Sequence, residues 1–239
     1  MKIVLIGYGK MGKAIEELAL SKGHEIILKI NDENLADFNI TNLERCDVAI
    51  EFTNPESAIG NMKSCIDADV PVVCGSTGWV AKQAEIIKYC KDKNGTLLYS
   101  SNFSIGVNIF FELNKKLAEL MSHQKEYTVS IEEIHHTQKK DAPSGTAISL
   151  AQQIIDKRDD IGNWVLNSIP TAKEINITSK RIDPAPGTHH VKYNSDIDDI
   201  EIIHTAHSRK GFAAGALTAA EFVFGKKGVF TMSDVLKIL

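Results

Sequence analysis

Residues 2–12 read Lys2-Ile3-Val4-Leu5-Ile6-Gly7-Tyr8-Gly9-Lys10-Met11-Gly12, an apolar run of strand length that breaks directly into a GxGxxG turn. Helical apolar spacing follows over Met11–Lys22. Strand, glycine turn and helix in this order form the arrangement that holds a dinucleotide pyrophosphate. Gly7 permits the tight turn, Gly9 lets phosphates reach the backbone, and Gly12 lets the helix pack closely on the strand. Tyr8, Lys10 and Met11 complete the loop. Asp32 stands about 20 residues past Gly12, where an acidic side chain, or Asn31 beside it, bonds the adenosine ribose. A carboxylate there repels a 2′-phosphate and tilts the choice towards NADH, while Lys29 and Lys10 offset part of that repulsion and keep NADPH open. A glycine turn without a ligand is the bland alternative. The strand before the turn and the acid after it weigh against it.

Working outward, strand-like runs alternate with helix-like segments through the first ~100 residues, the pattern of parallel βαβ units. The expected strands are Lys2–Ile6, Glu25–Ile30, Asp47–Phe52, Val70–Cys74 and Thr96–Tyr99, with helices over Met11–Lys22, Pro55–Asp67 and Val80–Asp92. Two strand ends, Gly75-Ser76-Thr77-Gly78 and Ser100-Ser101-Asn102-Phe103, bring small and hydroxyl residues to the carboxyl edge of the sheet, where open α/β folds bind ligands. Gly75, Ser76, Thr77, Ser100, Ser101, Asn102 and Phe103 are therefore candidates for the nicotinamide side. An ordinary loop composition is the competing explanation for both segments. Beyond Gly106 the character changes. A helix over Ile109–Ser122 leads into longer alternating runs, Tyr127–Ile134, Ala172–Arg181, Thr188–Asn194 and Asp199–Ala206, which suit an open mixed or antiparallel sheet. A small-residue helix over Gly211–Gly225 and a terminal element over Val229–Leu239 that returns to the first domain complete the chain.

The chain has 239 residues, enough for one large domain or two small ones. Two fit the change of pattern better: 1–104 as a Rossmann-like, doubly wound dinucleotide-binding domain on which 209–239 packs back, and 105–208 as an α+β domain with an open mixed sheet. Hydrophobic residues make up 43% and charged residues 24%, an ordinary soluble composition, and the net charge of −4 argues against general affinity for nucleic acid. Cys46, Cys65, Cys74 and Cys90 lack CxxC spacing and sit in apolar surroundings, which suits reduced, buried thiols in the cytoplasm. No run of ~18 apolar residues occurs, so no membrane span is expected, and no cleavable signal opens the chain.

The densest chemistry lies at residues 132–147, Glu-Glu-Ile-His-His-Thr-Gln-Lys-Lys-Asp-Ala-Pro-Ser-Gly-Thr-Ala. The stretch Thr128–Glu132 alternates like a strand, and Thr146–Ile155 has helical spacing with Pro143-Ser144-Gly145 as its approach. His135, His136, Lys139 and Lys140 then fall between strand end and helix start, where side chains converge. The unpaired first amides of that helix make an anion site, at which Gly145 permits close approach and Thr146 adds a hydroxyl. A Pro/Gly connector with solvated lysines is the bland alternative. Six of the eight histidines lie beyond residue 130, which raises a metal site as an alternative, but without HExxH or CxxC, and with neighbouring strand histidines on opposite faces, none is expected. Histidine donors to a carboxylated ligand, with Gly187-Thr188-His189 and Ser208–Gly211 adding polar and basic groups, are the other use. His24, His123, His204 and His207 are expected to be structural.

With these residues in view, the chain resembles the 4-hydroxy-tetrahydrodipicolinate (dihydrodipicolinate) reductase family along nearly its whole length. The resemblance is carried by Gly7–Gly12, Asp47–Thr53, Gly75–Gly78, Asn102–Asn108, Gly187–His189 and, most specifically, by HHxxKxDAPSGTA over 135–147. It implies reduction of 4-hydroxy-2,3,4,5-tetrahydrodipicolinate, a small dicarboxylate, by NADH or NADPH in the diaminopimelate route to lysine. It further implies His135 and Lys139 as catalytic, His136, Gly145 and Thr146 as substrate-binding, the cofactor contacts named above, and a homotetramer formed through the second domain. Departures are a glycine loop one residue shorter, Ser76 in place of threonine, Ser100-Ser101 in place of a more apolar pair, and Arg181–Pro186 without the usual glycine. Another two-domain dehydrogenase, of aspartate or homoserine type, would share the glycine loop but lacks the double histidine with SGTA. A non-catalytic dinucleotide sensor has no chemical need for a proton donor beside an anion site.

Overall fold

The computed structural model describes residues 1–208 and 210–237. Arg209, Ile238 and Leu239, which fall in the expected Ser208–Gly211 and Val229–Leu239 segments, lie outside the described residues. Two compact units emerge, Met1–Ile105 with Lys210–Leu239, and Gly106–Arg209.

The first unit begins with β1 (Lys2–Ile6), α1 (Lys10–Ser21), β2 (Glu25–Ile30), a single-turn α2 (Ile40–Leu43), β3 (Val48–Glu51), α3 (Pro55–Asp67), β4 (Val72–Cys74), α4 (Gln83–Asp92) and β5 (Thr96–Tyr99). Every pairing in its sheet is parallel, because each crossover contains a helix that must pack on a sheet face. Burial on both faces explains the continuous apolar strands: Ile3, Val4, Leu5 and Ile6 are all at most 1% exposed. Val4, Ala49, Val72 and Leu97 pack with α3 and α4, whereas Ile3, Val48, Val73 and Leu98 pack with α1 and the helix near the C-terminus. The expected strands over Asp47–Phe52 and Val70–Cys74 are shorter here. The expected helix over Val80–Asp92 opens with a 3-10 turn at Val80–Lys82.

The second unit follows with α5 (Ile105–Leu120), β6 (Thr128–His135), α6 (Gly145–Ile155), β7 (Asn163–Leu166), β8 (Glu174–Arg181), β9 (Gly187–Asn194) and β10 (Asp199–Ala206). The chain then returns to the first unit as α7 (Lys210–Val223), β11 (Gly228–Phe230) and α8 (Met232–Leu236). β11 adds a parallel edge strand beside β5, giving the order β11-β5-β4-β3-β1-β2. The second sheet has the order β10-β9-β6-β8-β7 and is mixed, with β9 antiparallel to β6 and β10, and β8 parallel to β6 and β7. Period-two alternation turns Val129, Ile131, Ile175, Ile177, Val191 and Tyr193 onto a core with Leu150 and Ile154 of α6.

Two sequence expectations need correction. The helix expected over Ile109–Ser122 begins at Ile105, since Gly106 lies in its first turn rather than before it. His135, expected in the loop after the strand, is the last residue of β6. Strand β7 and the one-turn α2 have no counterpart among the expected elements.

Candidate active site

At the carboxyl end of β1 the chain turns through Gly7 at φ +92, a conformation L-residues with a side chain rarely adopt. A Cβ on Gly7 would lie 2.1 Å from the Phe52 carbonyl oxygen, and one on Gly12 would lie 2.5 Å from the Gly7 carbonyl oxygen. One on Gly9 would meet nothing within 4 Å. Two glycines thus answer to packing and the third leaves backbone open. Gly9 caps α1 without any side-chain hydrogen bond, so the first amides of the helix have no side-chain acceptor. A cavity of about 390 Å³ lies against this turn, lined among others by Gly7, Tyr8, Gly9, Asn31, Asp32 and Thr53. Open backbone at a bare helix start, with an acidic residue at the end of β2, fits a dinucleotide.

Other candidates in this unit lie differently. Lys10, Met11 and Gly12 do not line the cavity. Gly75 is backed by Phe52, whose ring would lie 2.1 Å from an added Cβ. Ser76 is 5% exposed, and its hydroxyl donates to Glu51 at 3.1 Å and accepts from the Thr53 amide at 2.8 Å, so its side chain points into the protein. Phe103 is buried against Phe52, with ring centroids 5.7 Å apart, which leaves it backbone contacts at most. Ser100 and Asn102 organise their own turn, the Asn102 side chain accepting from the Ser104 amide at 2.8 Å. Thr77 and Ser101 are exposed. Sequence reading missed Asn54, Ser57 and Asn61, which line the same cavity. The Asn54-Pro55 pair was its signal, an Asn N-cap followed by proline at the first helical position, and Asn54 indeed accepts from the Ser57 amide at 2.9 Å.

Across the second unit the centre of the candidate site is a residue not singled out by sequence, Glu133. It is fully buried in β6. Both carboxylate oxygens accept from the Ser144 amide at 3.1 Å, and Oε1 also accepts from Ser179 Oγ at 2.8 Å and from Arg181 at 3.3 Å. Oε2 faces His135 Nδ1 at 3.5 Å and His189 Nε2 at 3.8 Å. Burial opposes ionisation, but the hydrogen bonds from Ser144 and Ser179 and the adjacent His135 outweigh it and hold the carboxyl below its usual range. His135 and His189 meet edge-on with ring centroids 5.1 Å apart. Burial lowers both imidazoles, and it pushes His189 down to about 3. The donor atoms of Glu133, His135 and His189 lie within 4.8 Å of one another, a spacing a small cation could use. Any cation would compete with the Arg181 guanidinium and displace the Ser144 amide from the carboxylate.

Between β6 and α6 the loop is fastened at several points. Arg181 donates to the carbonyls of Lys139 at 3.2 Å and Asp141 at 2.5 Å, besides reaching Glu133. Thr137 donates to Asp183 through both its amide, at 3.1 Å, and its hydroxyl, at 2.6 Å. Lys139 Nζ sits 2.8 and 2.7 Å from the two Asp141 oxygens. Ser144 caps α6, its hydroxyl accepting from the Ala147 amide at 3.2 Å and bonding His189 Nε2 at 3.2 Å. At the start of the helix Gly145 is exposed, and an added Cβ would meet nothing within 4 Å. His136 is half-buried and Lys140 exposed. The loop thus brings an imidazole, an ammonium and a helix start exposed at Gly145 within one short segment. His204 is half-buried with its ring 5.9 Å from Phe110, and His24 pairs with Glu221 at 3.0 Å, both structural placements. The four cysteines are free and buried. Among the described residues no helix is long and apolar enough to cross a membrane.

A parallel sheet with a glycine turn and cavity, joined to a unit bearing titratable groups at a helix start, defines the class of two-domain dinucleotide-dependent oxidoreductases. Residues 1–103 match the family described as dihydrodipicolinate reductase, N-terminus, and residues 106–236 match dihydrodipicolinate reductase, C-terminus. The chain belongs to the dihydrodipicolinate reductase family. It is 49% identical to the 4-hydroxy-tetrahydrodipicolinate reductase of Christiangramia forsetii, covering 100% of this chain and 99% of that one. With the enzyme of the same name from Alkaliphilus oremlandii, identity is 32% over the full length of both chains. Among solved structures, dipicolinate-bound dihydrodipicolinate reductase from Paenisporosarcina sp. TG-14 shares the fold at a TM-score of 0.78 and 22% identity, covering 100% of this chain and 99% of that one. Aspartate dehydrogenase from Thermotoga maritima shares it at 0.50 and 14%, covering 95% and 97%. That is a likeness of fold alone.

Proposed function

We propose that the protein reduces 4-hydroxy-2,3,4,5-tetrahydrodipicolinate to tetrahydrodipicolinate and water with NADH or NADPH, a step of the diaminopimelate route to lysine. The observation that carries this reading is the β6–α6 segment, where His135, Lys139 and the exposed Gly145 at the start of α6 occur within eleven residues of sequence, on a chain 49% identical to a named reductase over its length. A bound reduced nicotinamide supplies hydride to the substrate ring. The chain's own groups do the rest. The backbone at Gly7–Gly9 and the residues at Asn31 and Asp32 hold and orient the dinucleotide. The amides of Gly145 and Thr146, with His136, hold a ring carboxylate where the helix dipole favours negative charge. Lys139 Nζ delivers the proton that the reduced ring requires, and His135 holds or returns a proton at Nε2. With Glu133 paired to Arg181 and Asp141 to Lys139, the loop keeps one net positive charge, that of Lys140, to favour a dianion.

The protein acts in the cytoplasm, in keeping with four thiols that are free and buried. It assembles as a homotetramer through the second sheet. Supporting that assembly, Ile203 of β10 is 58% exposed and Ile197 in the turn before it 87% exposed, while β10 is an edge strand.

The test is spectrophotometric. Purified protein, substrate generated freshly from its precursors and each reduced nucleotide in turn should give loss of nicotinamide absorbance that depends on both. Oxidation of neither nucleotide in the presence of substrate would dispose of the reading, and size-exclusion chromatography with light scattering reads the assembly.

A further inference from the structure

The feature that the proposed reaction leaves unused is Glu133, the only residue whose polar atoms approach His135, His189, Ser144, Ser179 and Arg181 together among the described residues. A carboxylate removed from water is costly unless it is bonded on all sides, and this one takes backbone and hydroxyl donors and a guanidinium. Those partners come from β8, β9 and the start of α6, so the carboxylate is the point where three elements meet β6. Its position is forced by register: Val129, Ile131, Glu133 and His135 all face the α6 side of β6, which sets Glu133 two residues before His135 on one face. The His135 ring therefore has distinct edges. Nδ1 is buried, has no hydrogen-bond partner among the described residues, and has Glu133 Oε2 at 3.5 Å. Nε2 faces Gly187, where an added Cβ would crowd it at 3.1 Å, so the absence of a side chain at Gly187 is what leaves room beside that edge.

Resting on the reading of His135 as the acid/base group, we propose that Glu133 is a positioning residue that fixes the proton of His135 on Nδ1 while its other contacts hold the Ser144 amide. One buried group then sets two things. The neutral imidazole carries its lone pair on Nε2, on the edge that faces Gly187, and the protonated form presents Nε2–H there. The start of α6 is set by the same carboxylate through the Ser144 amide, immediately before Gly145 and Thr146. Arg181 donates to this carboxylate at 3.3 Å and also fastens the loop through the carbonyls of Lys139 and Asp141. In a Glu133→Gln variant whose amide oxygen stays with Ser179 and Arg181, the NH2 would replace Oε2. It would donate to Nδ1, leaving neutral His135 with its proton on Nε2, where it is a far weaker acid than an imidazolium.

The experiment uses full-length protein labelled with 15N-histidine, with the His135 resonances assigned from a His135→Asn variant. Long-range proton–nitrogen spectra of the unsubstituted protein should show neutral His135 as the Nδ1–H tautomer, and those of Glu133→Gln should show a shift to Nε2–H. Glu133→Gln should lower kcat about 100-fold or more with at most a small change in nucleotide KM. The limb of its kcat profile assigned to His135 should move to lower pH, since a neighbouring negative charge has been removed. A merely structural carboxylate would change the melting temperature and leave tautomer and pH profile alone. A neutral Nε2–H tautomer in the unsubstituted protein overturns the proposal without any variant, so failure of Glu133→Gln to fold does not protect it. Unsubstituted protein without reductase activity would instead sink the functional reading, and wild-type kinetics in a folded Glu133→Gln would sink only the proposal.

Discussion

Lys139 Nζ is held between both oxygens of Asp141, at 2.8 and 2.7 Å, two residues along the same loop. The ammonium beside it holds the Asp141 carboxyl below the usual carboxylate range. This fork fixes a flexible four-carbon side chain at the mouth of the loop that leads to α6, a form of pre-organisation for proton delivery. Lys139→Met and His135→Asn should each reduce kcat by about 10²- to 10⁴-fold while NADH dissociation constants, read by fluorescence, change less than about 3-fold. Asp141→Asn should have the intermediate effect, a loss of about 10-fold in kcat, by letting the ammonium wander. Full turnover in both Lys139→Met and His135→Asn would remove these side chains from the chemistry.

The glycine turn separates packing from ligand approach within three residues. Gly7→Ala forces a side chain onto a backbone at φ +92 and into the Phe52 carbonyl, and should destabilise by about 3 kcal/mol or more. Gly9→Ala meets open space at φ −84 and should alter stability by only about 0.5 kcal/mol. Its effect should fall on nucleotide affinity, about 10-fold weaker, because the methyl group stands where phosphate approaches. Urea unfolding and nucleotide titration of both variants check this, and normal affinity in Gly9→Ala would place the pyrophosphate elsewhere.

How far such a site is legible in sequence depends on the range of the forces that build it. The pattern that fixes β1, β2, β5 and α3 is local: apolar residues of one period bounded by Gly, Pro or a capping Asn, and the structure places these elements over the expected residues. Strand β7 is four residues on a sheet edge, paired only to β8, and Asn163–Leu166 shows no alternation to announce it. Helix α2 is one turn held by the Asn39 side chain accepting from the Asn42 amide. Glu133 was within reach, since a carboxylate occupies a core-facing position of an alternating strand. Its partners were not, because Ser144, Ser179 and Arg181 lie 11, 46 and 48 residues away and meet it only through the packing of α6 and the pairing of β8 with β6. Ser76 shows the converse error: a hydroxyl at a strand end suggested a ligand contact, and the structure turns it inward to the buried Glu51.

Cofactor preference follows from three side chains near the end of β2. Asp32 lines the cavity, and Lys29, which could offset it, is paired with Glu16 at 3.1 Å and lies 5.0 Å from the Tyr8 ring centre. A hydrogen bond from Tyr8 and the pairing with Lys29 hold the Glu16 carboxyl below its usual range, so the lysine stays engaged. NADH should therefore be the better substrate. Asp32→Ala and Glu16→Gln should each raise the NADPH-to-NADH ratio of kcat/KM by about 5- to 30-fold, the first by removing repulsion and the second by freeing Lys29 for a 2′-phosphate. Ratios that stay put in both variants would locate the preference outside this corner.

His189 makes stability depend on pH in a definite direction. Its imidazole is 5% exposed and pushed down to about 3, first by burial and then by His135, against an ordinary value of 6.5. Between those values the unfolded chain binds a proton that the folded protein refuses, so stability is fully present above about pH 6.5 and falls as pH drops towards about 3. One such group contributes a slope of about 1.4 kcal/mol per pH unit inside that window. His135, also lowered by burial, and Glu133, held ionised, act in the same direction. Urea midpoints measured from about pH 4.5 to 7.5 should decline on the acid side by the equivalent of more than one proton. His189→Gln, whose amide can keep the bond to Ser144, should make that decline shallower by about one proton while leaving stability near neutrality little changed. A slope equal to that of the unsubstituted protein would mean that His189 takes up its proton without unfolding the site, and that its burial is not the source of acid sensitivity.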